Sequence, residues 1–280
     1  MLRSSLLLAA ALAALGTVAW AQDVGDDVIA AQREALSASA RTKGFGPQSP
    51  RDLTVLDGSN PRIFQDAPAC QDMNLCNIHF HESAEHRGGE FTTYRGNGDG
   101  KGKNTGFVYD GELSEAERAP LGRTVGAGPY GDLEPGDTIE VHYVYTTAQV
   151  KPGPTLASCL NEATANPQLR VEAQVFVLVN DEEAIDFTQV AAVEEADGRF
   201  RAVNKPYDTG EPITYGGSTT GPDYNETASP LKVTWSVRPK VIKTSITSVE
   251  RWLADNPFDE KAAHGVRTLV TDPEMISAME

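Results

Sequence analysis

The five consecutive apolar residues Val175-Phe176-Val177-Leu178-Val179 constrain this chain more than any other run in it. Side chains of a strand alternate between faces, so a strand apolar at every position buries both faces and belongs inside a sheet. The run closes a longer strand-like stretch, Leu169–Val179. Thr138–Thr146, entered through the turn Pro135-Gly136-Asp137, is β-branched and aromatic with a period of two, and 231–237 repeats that character. Residues 75–81 give a fourth strand, with Gly88-Gly89 near a turn and Glu90-Phe91-Thr92-Thr93-Tyr94 as the expected hairpin return. A helix is expected over 248–254, capped by Ser248, with Val249, Trp252 and Leu253 facing the core. The fold class that follows is mainly β: one domain on a large twisted, mostly antiparallel sheet with few short helices and long loops.

The first 21 residues read as a secretory signal, with Arg3 at its positive start, an apolar stretch over 6–15 and Ala19-Trp20-Ala21 as an A-x-A cleavage site. The expectation is an exported protein, periplasmic or secreted, with no membrane span once the signal is removed. Residues 22–43 read as an N-terminal arm, a short amphipathic helix or a loosely docked segment, and 44–280 as the domain proper. Cys70, Cys76 and Cys159 in an oxidising compartment imply one disulfide and one odd thiol. The spacing does not choose the pair, and Cys76 with Cys159 is the working pairing. A formal net charge of -16 repels phosphate backbones and anionic headgroups, which argues against nucleic-acid and membrane-surface partners. The run Gly96-Asn97-Gly98-Asp99-Gly100-Lys101-Gly102 has fragments of a calcium loop but lacks its acidic pattern and closing glutamate, and reads as a solvated loop.

The chemistry concentrates in Asn77-Ile78-His79-Phe80-His81, within a segment that holds three of only five histidines. On a strand, His79 and His81 project from the same face and can share one ion. A catalytic zinc site takes three protein ligands and leaves the fourth position open, so a third ligand is needed from His142, His86 or His264. His142 is the expected one, because it lies mid-strand among residues that would be buried, whereas His264 sits in a polar C-terminal stretch. Metal-bound imidazoles usually donate their other N–H to an oxygen behind them. Asn77 lies two residues before His79 and Glu140 two before His142, each on its ligand's face.

Together, His79-Phe80-His81, Glu85-His86, the strand Glu140-Val141-His142-Tyr143-Val144-Tyr145 and residues 149–179 resemble the delta-class carbonic anhydrases, with a more distant likeness to the alpha class. The resemblance implies an alpha-carbonic-anhydrase-like sheet and Zn2+ held by His79, His81 and His142. It implies reversible hydration of carbon dioxide to bicarbonate and a proton by a zinc-bound hydroxide, so the expected partner is a small-molecule substrate, CO2 or bicarbonate. Tyr215-Gly216-Gly217-Ser218-Thr219-Thr220 resembles the threonine-bearing loop of the alpha class. Thr219 is then the residue that orients the hydroxide and Glu85 its partner, with Thr220 as the alternative gatekeeper. Val144, Val233 and Trp235 are the implied substrate pocket. Two other readings share the ligands: a cupin-type metalloenzyme in which Glu85 joins His79, His81 and His142 on iron or manganese, and an exported zinc-binding protein without turnover.

Overall fold

The structure, a computed structural model, describes residues 23–41, 43–62 and 64–279, so the expected secretory signal lies outside the described residues. Ten strands are described: β1 (Asn74–Glu82), β2 (Thr93–Tyr94), β3 (Phe107–Val108), β4 (Thr138–Thr146), β5 (Leu169–Val179), β6 (Val193–Ala196), β7 (Arg199–Ala202), β8 (Ile213–Ser218), β9 (Lys232–Val237) and β10 (Ile242–Ser245). Three α-helices accompany them: α1 (Asp26–Ala40), α2 (Phe187–Val190) and α3 (Ile246–Ala254). The main sheet runs β1-β4-β5-β9-β8, and β10 also pairs with β5. The apolar run explains this topology. One edge of β5 carries β4 along its length, while the other carries β9 beside 170–173 and β10 beside 176–179, so β5 has sheet on both sides. The β1–β4, β4–β5 and β8–β9 pairs are antiparallel, and those of β5 with β9 and β10 are parallel.

The two faces of this sheet are packed differently. Ile78, Phe80, Val141, Tyr143, Phe176 and Leu178 form one core with Phe187 of α2 and Ile246, Val249 and Trp252 of α3. Phe80, Phe187 and Trp252 meet there edge-to-face or tilted, with ring centroids 5.3–5.9 Å apart. The opposite face holds a second core of Val144, Val171, Ala173, Val175, Val233 and Trp235. This is the face onto which β1 and β4 also place their histidines.

Helix α1 is firmly docked. Asp26 and Asp27 occupy its first turn, where the helix dipole favours negative charge. Ile29, Gln32, Leu36 and Ala40 recur at helical spacing and are buried. Leu36 and Ala40 join Val270, Met275 and Ile276 in a third cluster, so the arm is packed against the C-terminal segment.

Two local expectations need correction. The partner of β1 is β4, not residues 90–94, which take part in a separate ribbon where β2 pairs with β3. The chain leaves β1 through Ser83 at φ 75°, and the backbone N–H groups of Glu85 and His86 then donate to the Glu140 carboxylate at 2.8 and 3.1 Å, which draws the segment beneath the sheet instead of into a hairpin. Helix α3 starts earlier than expected, with Ser245 in the capping position. Ser248 lies inside the helix, its hydroxyl donating to the Ser245 carbonyl at 2.6 Å and accepting from the Phe187 amide at 2.8 Å.

The working cysteine pairing is present: Cys76 and Cys159 are disulfide-bonded, and Cys70 is a free thiol. A disulfide fits an oxidising compartment. Among the described residues, no helix is long and apolar enough to cross a membrane.

Candidate metal centre

Strand register assembles the site. His79 lies directly opposite His142 and His81 opposite Glu140 in the β1–β4 pair, so all four side chains share one face. The three imidazoles of His79, His81 and His142 offer ligand atoms that all lie within 4.8 Å of one another.

Each ring has one nitrogen committed to an oxygen. His79 Nδ1 is 2.6 Å from Asn77 Oδ1, His81 Nδ1 is 2.8 Å from the Gly265 carbonyl, and His142 Nε2 is 2.8 Å from Glu140 Oε1. An oxygen acceptor requires the facing nitrogen to carry the hydrogen. In the neutral ring the other nitrogen then has the lone pair: Nε2 of His79, Nε2 of His81 and Nδ1 of His142. Burial lowers all three imidazoles, His79 well below its ordinary value and His81 to about 3, so all three are held neutral as ligands must be. Three converging neutral imidazoles, each oriented from behind, fit a zinc ion with one open position.

Glu140 is the hub of this support. Burial pushes its carboxyl up, but His86 and His142 outweigh that and hold it well below the usual range. It accepts four hydrogen bonds, from the Glu85 and His86 amides, from His86 Nδ1 at 2.7 Å and from His142 Nε2. Glu140→Gln puts an amide donor where one accepting oxygen stood, facing two N–H groups. Metal affinity is expected to fall by roughly 10–100-fold, measured by competition with a chromophoric chelator. Affinity equal to that of the unmodified protein would show that the carboxylate does not orient His142.

His86, read from the sequence as structural, is fully buried behind the centre, its Nε2 2.7 Å from the Tyr215 hydroxyl. Tyr215 in turn donates to Ser49 Oγ at 3.1 Å. His264 takes a different place. Its ring lies 5.1 Å from that of His79, its Nε2 meets Glu260 Oε2 at 2.7 Å, and its side chain is 45% exposed.

The histidines open on a cavity of about 340 Å³, also lined by Glu85, Leu156, Ala157, Thr219, Thr220 and His264. Glu85 is outside the three-imidazole cluster; Oε1 accepts the Arg267 amide at 2.8 Å. Burial raises its carboxyl, opposed by His142 and Arg267. Thr219 and Thr220 share the cavity with Glu85 but make no hydrogen bond to it, and the Thr220 hydroxyl is buried without a partner among the described residues. Val144, Val233 and Trp235 are packed into the second core rather than lining the cavity. The Trp235 ring lies 4.9 Å from that of His142, and the apolar wall belongs to Leu156 and Ala157.

Residues 264–267 have no obvious signal in the sequence beyond His264 itself. They run beside β1, with the His264 amide donating to the Phe80 carbonyl at 2.8 Å and Glu82 donating back to His264 at 3.1 Å. That docking delivers the Gly265 carbonyl to His81 and the Arg267 amide to Glu85. No strand pattern marks the segment, and it reaches the site across a separation of 184 residues.

A three-histidine centre with oriented imidazoles, set in a cavity on a sheet face, is the kind of site that takes one metal ion and leaves it open to substrate. The profile of the family described as Delta carbonic anhydrase matches residues 70–248. The chain belongs to the delta carbonic anhydrase family, which makes it a carbonic anhydrase and sets the cupin alternative aside. Among solved structures, the Photobacterium profundum alpha-carbonic anhydrase is similar at 14% identity over 89% of this chain and 94% of its own, with a TM-score of 0.29. The alpha-carbonic anhydrase from Thermovibrio ammonificans, in complex with the inhibitor sulfanilamide, is similar at 14% identity over 81% and 86%, with a TM-score of 0.27. No curated protein matches the chain.

Proposed function

We propose that this chain is an exported zinc enzyme that hydrates carbon dioxide reversibly to bicarbonate and a proton, with His79, His81 and His142 as the metal ligands. The observation that carries this reading is the convergence of three ring nitrogens, each freed by an oxygen on the other side of its ring. Zinc supplies Lewis acidity there, lowering the pKa of water at its open position to about 7, a value general to carbonic anhydrases and not one read from this site.

The chain's own residues do the rest. Asn77, Glu140 and the Gly265 carbonyl fix the tautomers and ring orientations, so no proton has to be displaced from the nitrogens that face the ion. Neutral ligands leave the ion's charge undiminished, which carboxylates would not. Carbon dioxide is apolar and is proposed to lodge against Leu156 and Ala157, with Val144, Val233 and Trp235 in the core cluster against which Leu156 packs. Thr219, with Glu85 behind it, is the proposed orienting hydroxyl, and Thr220 is the alternative because its buried hydroxyl lacks a partner.

Stopped-flow measurement of carbon dioxide hydration on zinc-loaded protein tests the reading, with turnover above buffer and inhibition by azide or sulfonamide expected. No turnover above buffer would leave the non-catalytic zinc-binding alternative standing. Thr219→Ala is expected to retain its zinc and slow turnover by roughly a hundredfold. Should Thr220→Ala show that loss instead, the orienting role moves one residue along.

A further inference from the structure

A second, smaller cavity lies away from the histidines. It measures about 120 Å³ and is lined by Arg33, Tyr94, Thr105, Phe107, Arg267 and Thr268 among others, with no carboxylate in its wall. In a chain of net charge -16, two arginines on one small cavity would be expected to have acidic partners. Among the described residues, neither Arg33 nor Arg267 forms an ion pair, whereas Arg87, Arg95, Arg123 and Arg170 each do.

Arg267 is the stronger anomaly. It is 3% exposed, and a guanidinium carries five N–H donors. Among the described residues it makes one long bond, from Nη1 to Ser218 Oγ at 3.4 Å, and its buried Nε has no acceptor. Burial accordingly lowers its pKa, with Glu85 acting in the opposite direction. Arg51, also buried, likewise leaves Nε without an acceptor, but its Nη1 and Nη2 reach Ser277 and it stacks on Tyr215 at 4.0 Å. Arg33, also among the lining residues, spends only Nε, on the Leu269 carbonyl at 3.2 Å. The hydroxyls of Tyr94 and Thr105 donate to Asn97 Oδ1 and the Gly96 carbonyl, and that of Thr268 to Gln32 Oε1. Among the described residues, Nη1 and Nη2 of Arg33 and Nε and Nη2 of Arg267 have no acceptor.

A buried cation short of acceptors carries a desolvation cost that a counter-charge removes. We propose that this cavity is a binding site for a small monovalent anion, of the size of chloride, nitrate or bicarbonate, held between the guanidinium groups of Arg33 and Arg267. Planar oxyanions match the guanidinium fork best, because two parallel N–H groups meet two oxygens. The volume excludes phosphorylated metabolites and other large anions.

The test is the chlorine NMR line width of dilute chloride in the presence of the purified protein, followed as nitrate is added. Chloride should broaden on binding, and nitrate should narrow it by competition. Chloride held near the histidines is common to every variant and cancels in the comparison. Arg33→Gln is expected to weaken the displaceable component about tenfold, the scale of losing a hydrogen bond to a charged group. Arg123→Gln, at the exposed pair with Glu250, should leave it unchanged. Arg267→Lys keeps the charge but loses the fork and should match Arg33→Gln; if it does not fold, the Arg33→Gln comparison decides alone. Broadening that nitrate does not displace in the unmodified protein, or that survives Arg33→Gln intact, overturns the proposal.

Discussion

His142→Ala is expected to strip the protein of its metal and lower carbon dioxide hydration by at least roughly a thousandfold, since a metal centre supplies several kcal/mol of transition-state stabilisation and about 1.4 kcal/mol is a factor of ten. The variant removes one of three converging imidazoles and also takes a donor from Glu140 Oε1. His264→Ala is the matched control. Its ring is near His79, but its Nε2 is occupied by Glu260 and it stands outside the three-imidazole cluster. Metal content by atomic absorption should therefore be near zero in the first variant and unchanged in the second. The reverse pattern would transfer the third ligand from His142 to His264.

Removing the disulfide should have the largest effect on stability. Cys76 and Cys159 are 83 residues apart in sequence, and closing a loop of that length restricts the unfolded chain enough to stabilise the fold by about 4–5 kcal/mol in the chain-entropy account. For a domain of this size that corresponds to a fall in midpoint of roughly 10 °C or more. A Cys76→Ala, Cys159→Ala double variant, compared by thermal melting with Cys70→Ser, should show that fall where the single variant does not. A midpoint unchanged by the double substitution would mean that the unfolded chain is not the state the bond restrains. The bond also bears on the site: Cys76 precedes Asn77, which orients His79, and Cys159 ends the turn that carries Leu156 and Ala157 into the cavity wall.

Short periodic patterns explain what was legible in the sequence. The bounds of β4 and β5 follow from β-branched runs, and the central place of β5 from its two apolar faces. His79 and His81 declared themselves by spacing alone, and Glu140 and Asn77 by standing two residues from an imidazole. Interactions between distant segments were less accessible. Pairing of residues 90–94 with β1 was a local inference, and it failed because the Glu140 carboxylate captures the intervening amides. Strand β8 read as loop because its Gly216-Gly217 pair carries no β-strand signature, although its Tyr215 packs against Trp235 of β9. Nothing local marks Gly265 or Arg267 as parts of the metal centre, since there each acts through its backbone, a carbonyl that every residue has and an amide N–H that all but proline have. The cavity lining shows the same limit: Val144, Val233 and Trp235 belong to the core cluster on the histidines' face, and it is Leu156 and Ala157, from the short turn Leu156–Cys159, that line the cavity.

The docking of residues 264–267 against β1 also ties the candidate centre to a segment remote in sequence. The proposed ligands stand on β1 and β4, yet the carbonyl that faces His81 Nδ1 belongs to residue 265. With that segment undocked, the same three histidines would stand on the sheet with one ring lacking its backing oxygen. Tight metal binding is therefore expected to depend on a contact spanning 184 residues as well as on the pairing of β1 with β4.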